Sequence, residues 1–303
     1  MNKHENLCAE LLIAVALCIG IVIGCICGTY LYDFIYPNVE NTDGPSDAET
    51  SASSASTSAT ANQTTASSSN PGDVTPKKRI ALTFDDGPRA GNTQKVLDLL
   101  AQYDAKATFF VCGSELDEGT KSVLQRAIAL GCEIGNHSYS HKSMTEISKD
   151  ALLKEIRDTN ELISRLSGTD YVCKMYRPPY GSINRAAMNS LYDSGIRMHA
   201  ILWSSDSLDW EYQNRYTKGE ISRTEAIEGA FNTIVRETSD GTVILMHDIH
   251  EITPDILARV LEKYSAEGYE FVTVSELFGL ESRSDKDSYF KRYRSTNSIL
   301  DTQ

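Results

Sequence analysis

Positive charge is in short supply in this 303-residue chain, where 29 Lys and Arg face 42 Asp and Glu for a formal charge of −13. A nucleic-acid partner needs a cationic surface to displace phosphate counterions, so the balance argues against one, and against anionic lipid headgroups as partners. Cysteine is scarce where a fold could use it. Cys8, Cys18, Cys25 and Cys27 lie in or beside one apolar run, which leaves Cys112, Cys132 and Cys173 for the rest of the chain. Three thiols allow at most one disulfide, and none of their spacings matches a zinc knuckle. Apolar residues at 41% and charged residues at 23% are ordinary for a folded soluble chain, which excludes a wholly disordered, collagenous or polytopic protein.

Charge disappears altogether between Leu11 and Tyr32, a run of 22 residues. At ~1.5 Å per helical residue it covers ~33 Å, enough for a hydrocarbon core of ~30 Å. A buried core helix would show a polar face, and LLIAVALCIGIVIGCICG shows none. The reading is a transmembrane anchor over residues 11–32. Lys3 and the free amino group precede it while Asp33, Glu40 and Asp43 follow, a bias that places the N-terminus in the cytoplasm and the remainder outside. A cleaved signal peptide would have a shorter apolar region and an A-x-A-like site, so an uncleaved, single-pass anchor is expected. Val22-Ile23-Gly24-Cys25 resembles a lipobox, which offers lipidation at Cys25 as the alternative. Both outcomes tether the chain outside the cytoplasmic membrane.

Large apolar side chains are missing from the next stretch. Asn41–Thr75 holds 16 Ser or Thr and 6 Ala, with no Leu, Ile, Phe, Tyr or Trp. It cannot bury enough surface to offset chain entropy, so residues 37–76 read as a disordered linker, with a mean span on the order of 30 Å.

From Lys77 the hydrophobic period alternates. RIALTF, ATFFV, CEIGNH, YVCKMYR, RMHAILW, TVILMH and YEFVTV read as strands. Between them NTQKVLDLLAQY, KSVLQRAIAL, ALLKEIRDTNELISRL, INRAAMNSLYDSG, RTEAIEGAFNTIVRE and TPDILARVLEKYSAEG read as helices. Such alternation over about 200 residues implies an α/β fold with a parallel sheet, closed or nearly closed into a barrel with chemistry at the strand C-termini. The domain spans 77–280. The tail 281–303 mixes both charge signs with Tyr289, Phe290 and Tyr293 and reads as a poorly ordered end.

Polar residues gather at those strand ends. Thr83-Phe84-Asp85-Asp86-Gly87-Pro88 puts two carboxylates side by side; alone it could be an acidic turn, or one carboxylate could meet a cation while the other works separately. His137-Ser138-Tyr139-Ser140-His141 spaces two imidazoles at i and i+4, which share one face if the segment starts a helix and can then chelate one borderline metal. With Asp86 they would make a His2Asp site. Arg177-Pro178-Pro179-Tyr180-Gly181, Asp206-Ser207-Leu208-Asp209-Trp210 and Leu245-Met246-His247 complete the series. His199 and His250 have no matching partner and are read as structural.

Taken in order, TFDDGP, HSxxH, RPPYG, DSxDW and LxH resemble the motifs of the polysaccharide deacetylase family, the NodB-homology or carbohydrate esterase family 4 enzymes. The resemblance runs from about Lys77 to Leu280 and implies a distorted (β/α) barrel that removes acetyl groups from glycans with a divalent metal. By the same resemblance Asp86, His137 and His141 are metal ligands and Asp85 is the general base, oriented by Arg177. Tyr180 would offer its backbone N–H to the oxyanion, and His247, held by Asp209, would be the general acid. Trp210 would wall the acetyl pocket, and Leu245 would contact substrate. Two imidazoles and a carboxylate accept Zn²⁺, the default, or Co²⁺, Mn²⁺ or Ni²⁺. The tether favours a wall polymer, with N-acetylglucosamine of peptidoglycan as the expected substrate. Alternatives are muramic acid, chitin oligosaccharide and acetylated xylan, or a non-catalytic glycan-binding domain on the same fold, which the full set of acid, base and ligand residues disfavours.

The topology has a direct check. Protease added to intact cells stripped of their wall is expected to release a soluble fragment beginning within Asn41–Thr75, and protection of the domain would overturn the external placement.

Overall fold

The computed structural model describes residues 77–302. The expected anchor at 11–32 and linker at 37–76 lie outside the described residues, and no helix among the described residues is long and apolar enough to cross a membrane.

Strand β1 (Arg79–Asp85) is followed by α1 (Ala90–Gln102), β2 (Ala107–Val111), α2 (Lys121–Ala129), β3 (Glu133–Asn136) and α3 (Lys149–Ser167). Next come β4 (Met175–Tyr176), α4 (Arg185–Asp193), β5 (His199–Ile201), β6 (Ser205–Asp206), α5 (Asp209–Thr217) and α6 (Arg223–Glu237). The chain continues through β7 (Val243–His247), α7 (Thr253–Ala266), β8 (Glu270–Phe271) and α8 (Val274–Phe278) to a hairpin, β9 (Lys291–Ser295) and β10 (Ser298–Asp301). The strands join in one sheet of order β10-β9-β5-β4-β3-β2-β1-β7-β6, with β8 on β1, and every pair except the hairpin is parallel. A single bridge from Thr242 to Ser295 connects β9 to the foot of β7.

The alternation of side chains along a strand sorts β1 into two environments. Ile80, Leu82 and Phe84 enter the core between the sheet and its helices, where Val96, Leu97 and Leu100 of α1 meet them. Ala81 faces the interior of the curl, among Phe110, Met175, Ile201 and Val243, and α8 plugs that space from below with Val274, Leu277 and Phe278. Thr83 and Asp85 share the parity of Ala81, so the interior turns from apolar to polar toward the rim. That rim carries the C-terminal ends of β1, β3, β4, β5, β6 and β7.

Three expectations change. The expected distorted (β/α) barrel takes the form of a curled parallel sheet extended by an antiparallel hairpin, in which β4, β5 and β8 are much shorter than the runs read as strands. Helix α5 begins on the DSxDW cluster and is absent from the helices expected from periodicity; Asp209 is its only buried residue, so it has no apolar stripe to read. Gly229 in α6 gives it room, since a Cβ there would lie 2.2 Å from the Tyr212 ring.

The tail is the third correction, for it is built into the fold. Tyr293 is fully buried, and Ala200 and Ile201 of β5 pair with Arg292 and Tyr293. His199, read as structural, is buried with its ring 4.7 Å from Tyr289 and 5.6 Å from Tyr293. The tail supplies the partner that β5 lacks on its open side. Cys112, Cys132 and Cys173 are all buried free thiols.

Replacing Tyr293 by Ala should therefore cost about 3 kcal/mol and lower the melting temperature by roughly 6–12 °C in calorimetry. An unchanged melting temperature would show that the hairpin is not integral.

Candidate active site

Arg177 follows β4 directly and has no solvent exposure. Its Nη1 donates to Asp85 Oδ1 at 2.7 Å and to Thr83 Oγ1 at 2.8 Å, both on the interior face of β1. Its Nε and Nη2 donate to the carbonyls of Ile201 and Leu202 at 3.3 and 3.0 Å, and its guanidinium carbon lies 4.2 Å from the centroid of the Phe110 ring. A buried cation is tolerated only with this degree of satisfaction. The result is a carboxylate with one oxygen fixed and the other, Oδ2, left for chemistry.

Asp86 turns away from Asp85 because its backbone is left-handed, with φ of 72°. The next residue must be small: a Cβ on Gly87 would sit 2.3 Å from Oδ1 of Asp248. Asp248 is fully buried, hydrogen-bonded to Thr93, and burial pushes its carboxyl up to about 7. The paired imidazoles also converge through backbone of unusual sign. Residues 137–141 are not helical, contrary to the i, i+4 expectation; Ser138 and His141 take φ of 63° and 54°, and that reversal brings both rings to Asp86. The loop is held from beneath. Asn136 Oδ1 accepts the Ser138 N–H at 2.8 Å, and Glu155 of α3 accepts the N–H groups of Tyr139 and Ser140 at 2.8 and 2.7 Å.

The donor set fits a metal. Nε2 of His137 and Nε2 of His141 each lie 3.3 Å from Asp86 Oδ1, a buried oxygen that receives no hydrogen bond. Two ligands about 2.1 Å from one tetrahedral ion are themselves separated by roughly 3.4 Å, close to the distances found. His137 Nδ1 lies 2.7 Å from the Arg177 carbonyl, which can only accept, so Nδ1 carries the proton and Nε2 presents its lone pair inward. Burial, reinforced by His137, lowers the His141 imidazole below its ordinary pKa and keeps it available as a ligand. For Asp86 burial acts upward, but the neighbouring imidazoles of His137, His247 and His141 together outweigh it and hold the carboxyl far below the usual range.

Across the cleft Asp209 is fully buried and accepts from His247 Nδ1, the His247 backbone N–H and Thr253 Oγ1, each at 2.7 Å, and from the Trp210 N–H at 2.9 Å. Burial opposes the imidazolium, yet the Asp209 charge and hydrogen bond prevail and raise the His247 pKa to about 9. Asp85 and His247 are register partners on adjacent strands. Base-type and acid-type groups therefore face one cavity of about 450 Å³.

The cavity is walled by Tyr180, Trp210, Leu245, Trp203, Ile249 and His250. Tyr180 and Trp210 are 73% and 43% exposed, an unusual setting for large aromatics that marks a binding surface. Tyr180 is also left-handed, with φ of 60°, and the hydrogen bonds of its turn use the N–H groups of Gly181 and Ser182 but not its own. All ten residues singled out in the sequence thus line this cavity or, like Arg177 and Asp209, stand directly behind it. Trp203 and His250 were missed. Trp203 was read as the end of a strand, and His250, read as structural, lies on the cleft wall with its ring 5.6 Å from His247. Of the six non-glycine residues with positive φ among the described residues, five belong to this rim: Asp86, Ser138, His141, Tyr180 and Leu208. Such strain collects where the surroundings over-determine the backbone.

The sequence profile of the family described as Polysaccharide deacetylase matches residues 72–199. The chain is 37% identical over 201 residues to the peptidoglycan-N-acetylmuramic acid deacetylase PdaC of Bacillus subtilis strain 168, covering 66% of this chain and 39% of that protein. It is 36% identical over 214 residues to the peptidoglycan-N-acetylglucosamine deacetylase PgdA of Listeria monocytogenes, covering 71% of this chain and 42% of that protein. This chain thus spans about two-fifths of the length of these curated relatives. A family 4 acetyl xylan esterase from Clostridium thermocellum, solved in complex with a cobalt ion, superposes with a TM-score of 0.62 at 32% identity, covering 73% of this chain and 100% of that one.

The pairing of Asp209 with His247 can be read by NMR. In Asp209→Asn the His247 titration is expected to fall from about 9 to near or below the unperturbed value of about 6.5. A titration that stays high would assign the proton to another anion.

Proposed function

The chain belongs to the polysaccharide deacetylase family, and on that premise we propose that it hydrolyses N-acetyl groups of a cell-wall glycan with a divalent metal, most simply zinc, held by Asp86, His137 and His141. The observation that carries this reading is the convergence of two imidazole Nε2 atoms on the unpartnered Oδ1 of Asp86, beside a carboxylate fixed by Arg177. When bound, such an ion supplies Lewis acidity and brings the pKa of a water molecule from about 15.7 toward ~7. The cobalt ion in the acetyl xylan esterase supports the metal.

The chain's own groups then account for the proton traffic. Asp85, anchored through Oδ1, takes the water proton as the acetyl carbonyl is attacked, and the Tyr180 N–H donates to the oxyanion that develops. An amide anion is a poor leaving group. His247, protonated because Asp209 raises its pKa, donates to the departing nitrogen as the C–N bond breaks, releasing acetate and a free amine. Trp210 and Leu245 wall the acetyl group.

N-acetylglucosamine of peptidoglycan is the proposed substrate, supported by PgdA and by the reach above the membrane expected of a tether at residues 11–76. Placement outside the membrane belongs to the same proposal. A second reading has an observation of its own: PdaC is 37% identical to this chain, against 36% for PgdA, and the xylan esterase is 32% identical, so muramic acid or acetylated xylan would fit the same catalytic groups.

The test is acetate release by the full-length chain from defined peptidoglycan, chitin oligomers and acetylated xylan, with and without chelator. Peptidoglycan is expected to be turned over only when metal is present. His137→Ala should lose metal and activity together, whereas Asp85→Asn should keep metal by elemental analysis and lose turnover. Acetate release that survives both chelation and His137→Ala would overturn the metal reading, and turnover confined to xylan would overturn the substrate.

A further inference from the structure

Leu202 holds two partners at once. Its carbonyl accepts from Arg177 Nη2 at 3.0 Å, while its N–H donates to the Tyr293 carbonyl of β9 at 2.7 Å. Ile201 is similar: its carbonyl accepts from Arg177 Nε, and its backbone is in register with Tyr293. One residue further, the carbonyl of Trp203 accepts from Arg294 Nε at 3.0 Å. The three residues that feed Arg177 and the cleft wall are therefore held on their other side by the hairpin.

Trp203 extends the connection. Its ring lines the cavity and lies 5.7 Å from the Arg177 guanidinium. It also packs on the RPPYG turn, where a Cβ built on Gly181 would lie 3.3 Å from Cη2 of Trp203. At its far end the hairpin is fixed independently of β5, because the Thr296 N–H donates to the Gly241 carbonyl at 3.0 Å and Ser295 bridges to Thr242, at the foot of the strand that ends in His247.

We propose that the C-terminal hairpin Lys291–Asp301 positions the catalytic rim: Tyr293 and Arg294 hold residues 201–203 so that these residues seat Arg177 against Asp85 and Trp203 against the Tyr180 turn. Arg294 is the positioning residue that can be tested without dismantling the strand, since it is exposed and acts through one side-chain bond. The hairpin also contains an internal control. Lys291 pairs with Asp301 at 2.6 Å and touches no residue of the 201–203 segment through that pair.

The activity arm of the test rests on the deacetylase reading, but a spectroscopic arm does not. The chain has two tryptophans, and both line the cavity. In a full-length Trp210→Phe background the emission reports Trp203 alone. Arg294→Ala is expected to shift that emission, and in the otherwise native chain to lower kcat/KM about tenfold, mainly through kcat, as misplacement of catalytic groups does. Lys291→Ala should leave emission and kcat/KM unchanged. Emission and kcat/KM that are the same in Arg294→Ala as in Lys291→Ala would overturn the proposal and leave the hairpin as a closing strand only. Should the native chain release no acetate from any glycan, the deacetylase reading fails, and the emission comparison alone decides the hairpin's role.

Discussion

A guanidinium taken out of water must find acceptors for most of its N–H groups, and at the rim of this sheet that requirement falls on Arg177. The acceptors come from β1 and from the end of β5: a carboxylate, a hydroxyl and two carbonyls. Its own carbonyl orients His137 through Nδ1. One fully desolvated charge thereby fixes Asp85, sets the tautomer of a metal-type ligand and ties both to the segment carrying Trp203. Loss of the cation would leave Asp85 buried and unpaired, so the effect would exceed that of one missing hydrogen bond.

Strand parity delivers the residues to that environment. Along β1 the interior face runs from Ala81 through Thr83 to Asp85, from the apolar plug above α8 to the polar rim. On the opposite wall Asp209 sits at the start of α5, where Leu208, at φ of 54°, turns the chain from β6 into the helix. The two buried carboxylates differ in what holds them, Asp85 by a permanent cation and Asp209 by a titratable one. In the proposed reaction the first would accept a proton and the second would keep one on its neighbour.

Much of this was legible in the sequence because the chemistry-bearing residues fall at strand ends, where an α/β sheet exposes them. The long helices were equally readable, for an amphipathic stripe such as that of α3 has a period. What escaped was information that residue identity does not carry. His137 and His141 meet by a left-handed loop and not by a helix, and nothing in HSYSH states the sign of φ at Ser138. Trp203 ends a run that reads as strand, and only the curl of the sheet turns its ring into the cavity. Asn136 and Glu155 support the histidine loop with polar groups that look like ordinary strand and helix residues. The tail was unreadable for a related reason. Only Tyr293 of β9 is buried, and a single aromatic among Lys and Arg shows no alternation.

The register of β1 with β7 sets one dimension of the cleft by itself. Asp85 and His247 are directly opposed, so the span between their side chains follows from the spacing of neighbouring strands, about 4.8 Å between backbones, and from two side-chain lengths. Neither strand can slide without breaking a ladder of five paired residues. On the proposed function, glycans that differ in branching, charge or length would be accommodated along the cleft, where loops and side chains can vary. The transverse gauge between Asp85 and His247 is a property of the peptide ladder, and it would be the same for an ester as for an amide.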